Sequence, residues 1–145
     1  MANPVAYVLE GLQPVTSHGD FLIDLKIKNH DALAALTRGV ATQAEIETLI
    51  SCANITEALY RLGFGNEYAE VVRQGLDSLH AVGKRGVKSG RFILKADEMS
   101  ALNTLMELHD AQMDVITVKD MERATEIVRK EFEAKRMRPI IDKGE

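Results

Sequence analysis

This chain marks the ends of its own helices. Thr42-x-x-Glu45 has the spacing of a capping box, in which a hydroxyl and a carboxylate take up backbone N–H groups that a first helical turn leaves unpaired. Gly63 and Gly83 stand where two apolar stripes of helical period stop, and Thr117-Val118-Lys119-Asp120 opens the last stripe. A chain punctuated in this way folds as short packed helices. The fold expected is mainly α, a bundle of four to five helices with an N-terminal β-hairpin or extended arm. The end signals themselves carry no reaction.

The hairpin expectation comes from residues 1–28. Phe21, Ile23, Leu25 and Ile27 alternate with Leu22, Asp24, Lys26 and Lys28, a period of two that places apolar side chains on one face of a strand. Val5, Tyr7 and Leu9 alternate more weakly, and Pro14 and Ser17-His18-Gly19-Asp20 supply turn chemistry between the two runs. The alternative is an arm without regular structure. Residues 29–138 form the helical domain, and 139–145 a frayed tail after Arg138-Pro139.

Within the helical domain, Asn29 is placed to cap a short helix through Leu36, closed by Gly39. A second helix runs from Thr42 to about Leu62 on the stripe Ile46, Leu49, Ile50, Ala53, Tyr60. Asn66 opens a third, to Val82, on Tyr68, Val71, Val72, Leu76 and Leu79, with Gly75 inside the stripe where a neighbouring helix comes close. Residues 83–90, with Gly83, Gly86 and Gly90, read as a loop, and Phe92-Ile93-Leu94 as a short strand. A fourth helix spans about Asp97 to Ile116 on Leu102, Leu105, Met106, His109, Met113 and Ile116. A fifth runs from Thr117 to about Lys135 on Val118, Met121, Thr125, Val128 and Phe132.

Composition narrows the function classes. The 145 residues fit one domain with a single core, and a formal net charge of -4 gives no global attraction to nucleic acid or anionic membrane. No apolar run approaches the roughly 20 residues that span a bilayer, and the first twelve residues lack the basic start of a secretory signal. One cysteine, Cys52, permits no internal disulfide. A cytoplasmic protein is expected. Four Phe, three Tyr and no Trp leave few stacking platforms for sugars or single-stranded bases.

Three groups of residues could carry chemistry. Lys84, Arg85, Lys88, Arg91 and Lys95 put five positive charges in twelve residues with no acid among them, suited either to phosphate contact or to pairing with the chain's own acids. There is no Walker A spacing. Asn103, Glu107, Asp110 and Asp114 share one helix face, which reads as a cation or basic-partner stripe or as the wet side of an amphipathic helix. His109 falls inside an apolar stripe, either as a ligand or general base or as a core histidine with a local hydrogen bond. Glu57 and Asn54 lie near the stripe of the second helix; Glu57, Glu107, His109 and Asp110 make up the candidate polar site, with Glu57 the residue that would couple to His109 across a helix pair. The histidines at 18, 30, 80 and 109 offer no i, i+4 pair, so no metal or cofactor is expected. Cys52, flanked by Leu49 and Leu59, reads as an inert buried thiol.

The stretch Ile27-Lys28-Asn29-His30-Asp31-Ala32-Leu33-Ala34-Ala35-Leu36-Thr37-Arg38-Gly39, with Gly90-Arg91-Phe92, Ala101-Leu102-Asn103 and Glu107-Leu108-His109-Asp110-Ala111-Gln112, resembles small proteins without assigned activity that are encoded on bacterial prophages and plasmids. The resemblance covers about Leu25 to Pro139. It implies a bacterial cytoplasmic setting and a role in a mobile element, and it transfers no catalytic residue. The function expected is a non-enzymatic accessory protein that binds another macromolecule, as a homo-oligomer. The alternatives are a nucleic-acid-associated protein using the basic segment 84–95, and a small metal-dependent or hydrolytic enzyme built on His109 and Glu107.

Overall fold

The computed structural model describes residues 19–137 together with Pro14. Five helices follow one another: α1 Gly19–Thr37, α2 Gln43–Arg61, α3 Ala69–Ser89, α4 Ala96–Met113 and α5 Val118–Met137, with a 3-10 turn at Asn66–Tyr68 leading into α3. Among the described residues there is no strand, only an isolated antiparallel bridge between Pro14 and Thr117.

Most of the expected ends are present. At α2 the Thr42 N–H donates to Glu45 Oε2 at 2.9 Å and the Ala44 N–H donates to Thr42 Oγ1 at 3.3 Å, closing the capping box. Gly63 ends α2 at a φ of 106°, a left-handed conformation that glycine adopts without strain. The Gly63 and Phe64 N–H groups donate back to Tyr60 and Leu59, which is a Schellman closure. At α5 the Thr117 N–H donates to Asp120 Oδ2 at 2.9 Å and the Asp120 N–H to Thr117 Oγ1 at 3.1 Å.

Four expectations need correction. The segment Phe21 to Ile27 is helix, the first part of α1, and α1 continues through residue 29 without a break. Asn29 is therefore no cap; it sits mid-helix and buried. The helical stripe Leu25, Asn29, Ala32, Leu33, Leu36 overrides the local alternation, because it continues onto a face that the other helices cover. The earlier half of the expected hairpin, and the tail from residue 138, lie outside the described residues. Residues 83–89 are the last two turns of α3, not a loop, and Gly90 closes the helix. The buried stripe Val72, Gly75, Leu79, Val82, Gly86 runs straight through them. Residues 92–95 link α3 to α4 without strand pairing.

Two of these glycines are there because a neighbour needs the space. A Cβ on Gly75 would stand 2.7 Å from Leu105 Cδ2, so α3 and α4 cross closely at this point. A Cβ on Gly86 would lie 2.0 Å from Phe92 Cδ1, so the bare backbone is the seat of the Phe92 ring.

Helix α2 is central and packs against each of the other four. Two apolar clusters form along it. One takes Ile46, Leu49, Cys52 and Ala53 of α2 with Leu36, Leu79, Val82 and Leu102. The other takes Ala58 and Leu59 with Met113, Ile116 and Ala124. On α5 the fully buried residue is Ala124; Thr125 and Phe132, expected on its inner face, are exposed.

The two α3 glycines at 83 and 86 make a direct test of this packing. A Cβ on Gly83 would meet only Ile46 Cγ2 at 3.9 Å. Gly83→Ala is expected to stabilise the protein by about 0.5–1 kcal/mol through helix propensity. Gly86→Ala is expected to destabilise it by about 1–3 kcal/mol by displacing Phe92. Urea unfolding of the two variants reads both signs.

Candidate functional site

Thr56 of α2 is fully buried, so its hydroxyl has to be satisfied within the protein. The hydroxyl donates to the Cys52 carbonyl one turn back, at 2.8 Å. Its oxygen stands 2.9 Å from His109 Nδ1 of α4. One turn further along α4, the Gln112 amide donates to the Thr56 carbonyl and the Phe64 carbonyl, each at 3.1 Å. Thr56, His109 and Gln112 therefore form one buried polar tie between α2 and α4. In sequence the tie falls between the two apolar clusters on both helices.

The tie leaves two buried acceptor-capable atoms, His109 Nε2 and Gln112 Oε1, with no hydrogen-bond partner among the described residues. Burial pulls the His109 imidazole down to about 4, against the opposing pull of Asp110, so the ring is neutral at pH 7. Burial pushes the Cys52 thiol up to about 12, which makes it an unreactive thiol rather than a nucleophile.

His109 also lines a cleft of about 320 Å³ between α1, α2 and α5. Leu25, Ile55 and Met121 give it apolar walls, and Asn29 and Ser51 add polar groups. Lys28 and Glu47, both exposed, flank its opening.

The expected polar site does not assemble as one unit. Glu57 turns to the surface and pairs with Arg61 at 3.1 Å, and Arg61 also reaches Glu131 of α5 at 2.5 Å. The residue that meets His109 is Thr56, one position earlier. Glu107 is exposed and two residues from His109, a spacing that puts the two on different sides of α4, so the general-base pairing of the enzyme alternative is not formed. Asp110 pairs with His30 of α1 at 3.0 Å on the surface, and Asn103 and Asp114 are solvated. Asn54 is half-buried and lines a shallow groove between α2 and α5. Among the described residues no three His, Cys, Asp or Glu side chains cluster to hold a metal ion.

The basic segment is also divided. Lys84, Arg85 and Lys88 lie on the last turns of α3, Arg91 follows Gly90, and Lys95 precedes α4. Arg85 is spent on Glu98, which takes both of its terminal nitrogens at 2.7 and 2.5 Å, and it also donates to the Ile93 carbonyl at 2.9 Å. The same carboxylate accepts the Lys95 N–H at 2.8 Å, capping α4. The Arg85 guanidinium holds the Glu98 carboxyl below the usual carboxylate range. Glu98 thus fixes the α3–α4 link with one buried charge. Lys84, Lys88, Arg91 and Lys95 remain exposed.

Sequence reasoning missed Thr56, Gln112 and Glu98. The signal for the first two was present: Thr56 follows Leu49 and Ala53 on the α2 stripe, and Gln112 lies three residues after His109 on the α4 stripe. A polar residue on an apolar stripe needs a partner across the interface.

No protein-family model, curated protein or solved structure matches this chain. Among the described residues no helix is long and apolar enough to cross a membrane.

The buried imidazole sets a pH dependence. In the unfolded chain His109 takes up its proton near pH 6.5, and in the folded protein only near pH 4. The unfolded state binds the proton first, so the contribution is complete above pH 6.5 and is lost as pH falls towards 4. The loss is about 3 kcal/mol in all, at about 1.36 kcal/mol per pH unit. The stability gap between wild type and His109→Gln, read by urea unfolding at pH 7, 5.5 and 4, is expected to shrink by that amount. A constant gap would mean that the folded ring ionises as freely as the unfolded one.

Proposed function

We propose that this chain is a non-enzymatic accessory protein of a mobile element that works by binding other macromolecules, and that it first binds a second copy of itself through the outer face of α1. The observation that carries this reading is the pair Ile23 and Ile27, 56% and 53% exposed and one turn apart on the side of α1 away from its buried stripe. Exposed apolar residues that stand singly are ordinary on a protein surface, but two stacked β-branched side chains on one turn make a patch. Helix α1 is thus apolar on two sides, and the bundle covers one of them.

The nucleic-acid alternative has less support. It loses Arg85 to Glu98, and Lys88 sits in the last turn of α3, where the negative end of the helix dipole accounts for a cation. The resemblance of the segments around Asn29 and His109 to prophage and plasmid proteins supports the mobile-element setting.

Sedimentation of the full chain at tens of micromolar tests the proposal. Wild type is expected to be dimeric. Ile23→Asp with Ile27→Asp is expected to weaken association by a hundredfold or more, about 3 kcal/mol, with an unchanged circular dichroism spectrum because both positions are exposed. A monomeric wild type at that concentration, or a double variant that associates as wild type does, overturns it.

A further inference from the structure

We propose that the two ends of the helical bundle are the two halves of a head-to-tail contact between copies of this chain. The end carrying Arg38, Val40, Arg91 and Ile93 on one copy seats on the end carrying Glu67, Tyr68, Asp114 and Val115 on the next.

Helix α4 sets the two ends apart. Ile93 and Lys95 precede it, Asp114 and Val115 follow it, and its 18 residues span about 27 Å. The turn between α1 and α2 lies at the first end: a Cβ on Gly39 would stand 3.1 Å from Ile93 Cδ1 and 3.6 Å from Arg91 Nη2. Arg38 and Val40 flank that glycine, so two cations and two β-branched side chains share one patch. The turn between α2 and α3 lies at the second end. There the Gln112 amide reaches the Phe64 carbonyl, and a Cβ on Gly65 would stand 3.3 Å from both Leu108 and Tyr68. Val115 follows Leu108 by two turns of chain and Asp114 follows Glu107 by the same step, so each pair shares a side of α4.

Each end is apolar at its centre and carries one dominant sign of charge around it. Val40 is 62% exposed, Ile93 46%, Tyr68 48% and Val115 67%. These are four of the eight large apolar side chains that the described residues leave exposed, and turns at helix ends are ordinarily polar. Arg61, Arg73, Arg85 and Arg129 each pair with a carboxylate, whereas Arg38 and Arg91 form no ion pair among the described residues. Glu67 and Asp114 form none there either. Charge of the other sign is outnumbered at each end: Asp97 by Arg38, Arg91 and Lys95, and Lys119 by Glu67, Glu107 and Asp114. An apolar centre inside a polar rim is the anatomy of a protein interface, and rims of opposite sign steer and register it. A phosphate polymer would match the cations and leave Val40 and Ile93 without a partner. The second end of another copy matches both.

The two surfaces differ, so the contact is heterologous: each copy keeps a free half, and copies add in open chains or rings. Pairing through α1 is a separate contact that stops at two. The charged rims are exposed, which makes the end contact weak and sensitive to salt.

Light scattering of the full-length chain carrying Ile23→Asp with Ile27→Asp, which removes the α1 face, reads the ends alone. At about 20 mM salt its mean mass is expected to rise past twice the chain mass as the protein approaches about 1 mM, and at about 300 mM salt to fall back to one chain. A mass that stays at one chain or stops at two overturns the proposal, and so does growth that salt leaves unchanged. Adding Arg38→Glu with Arg91→Glu is expected to abolish growth, and so is adding Glu67→Lys with Asp114→Lys instead, each with an unchanged circular dichroism spectrum because the four positions are exposed. An equal mixture of these two charge variants is expected to grow again, because each then meets a rim of opposite sign at both of its ends. Growth of either charge variant alone, or no growth of the mixture, overturns the pairing of these two ends. The α1 dimer is measured on the wild-type chain, so a failure there and a failure here are told apart.

Discussion

Helix α2 is enclosed by four others, and its middle therefore has no access to water. Every polar atom there needs a partner within the protein. Thr56 meets this demand by two routes: its hydroxyl folds back on the Cys52 carbonyl, and its oxygen and carbonyl take the imidazole of His109 and the amide of Gln112. The tie fixes the register of α4 against α2. A slide of either helix by one residue would leave several buried donors and acceptors unpaired. The hydrophobic clusters supply the drive to collapse, and the polar tie selects one arrangement of the helices.

The cleft and the outer face of α1 both follow from that arrangement. His109 spends Nδ1 on Thr56, and its Nε2 has no hydrogen-bond partner among the described residues, while the residue itself borders the cleft between α1, α2 and α5. Helix α1 covers the bundle with Leu25, Asn29, Ala32, Leu33 and Leu36, and the geometry of a helix then sends Ile23 and Ile27 outward. At the other end of the molecule, Glu98 serves as cap for α4 and counter-charge for Arg85, which turns one of the five cations of the basic segment into a structural joint.

What was legible in the sequence was local. Thr42, Gly63 and Thr117 mark helix ends through interactions within four residues, and all three are where the sequence places them. The burial of Leu102, Leu105, Met106, His109, Met113 and Ile116 follows from their spacing on α4. The failures have non-local causes. The alternation from Phe21 to Ile27 is satisfied equally by a strand and by a helix that is apolar on two sides, and only the cover supplied by other helices decides between them. Gly83 and Gly86 look like breakers because their use lies elsewhere: Gly86 is bare so that Phe92 can lie on it. Local signals mark His109 as a buried candidate, but its partner is 53 residues away on another helix, and it is the Thr56 hydroxyl, not the neighbouring Glu57 carboxylate, that lies on the inner face of α2.

The state of one ring bears on the whole account. A long-range proton–nitrogen correlation spectrum of the full chain, with the His109 signals assigned by their loss in His109→Gln, reports which ring nitrogen holds the proton. The account predicts a neutral ring protonated at Nδ1, bare at Nε2, and unchanged from pH 7 down to pH 5. A ring protonated at Nε2, or one that titrates near pH 6.5, would contradict it.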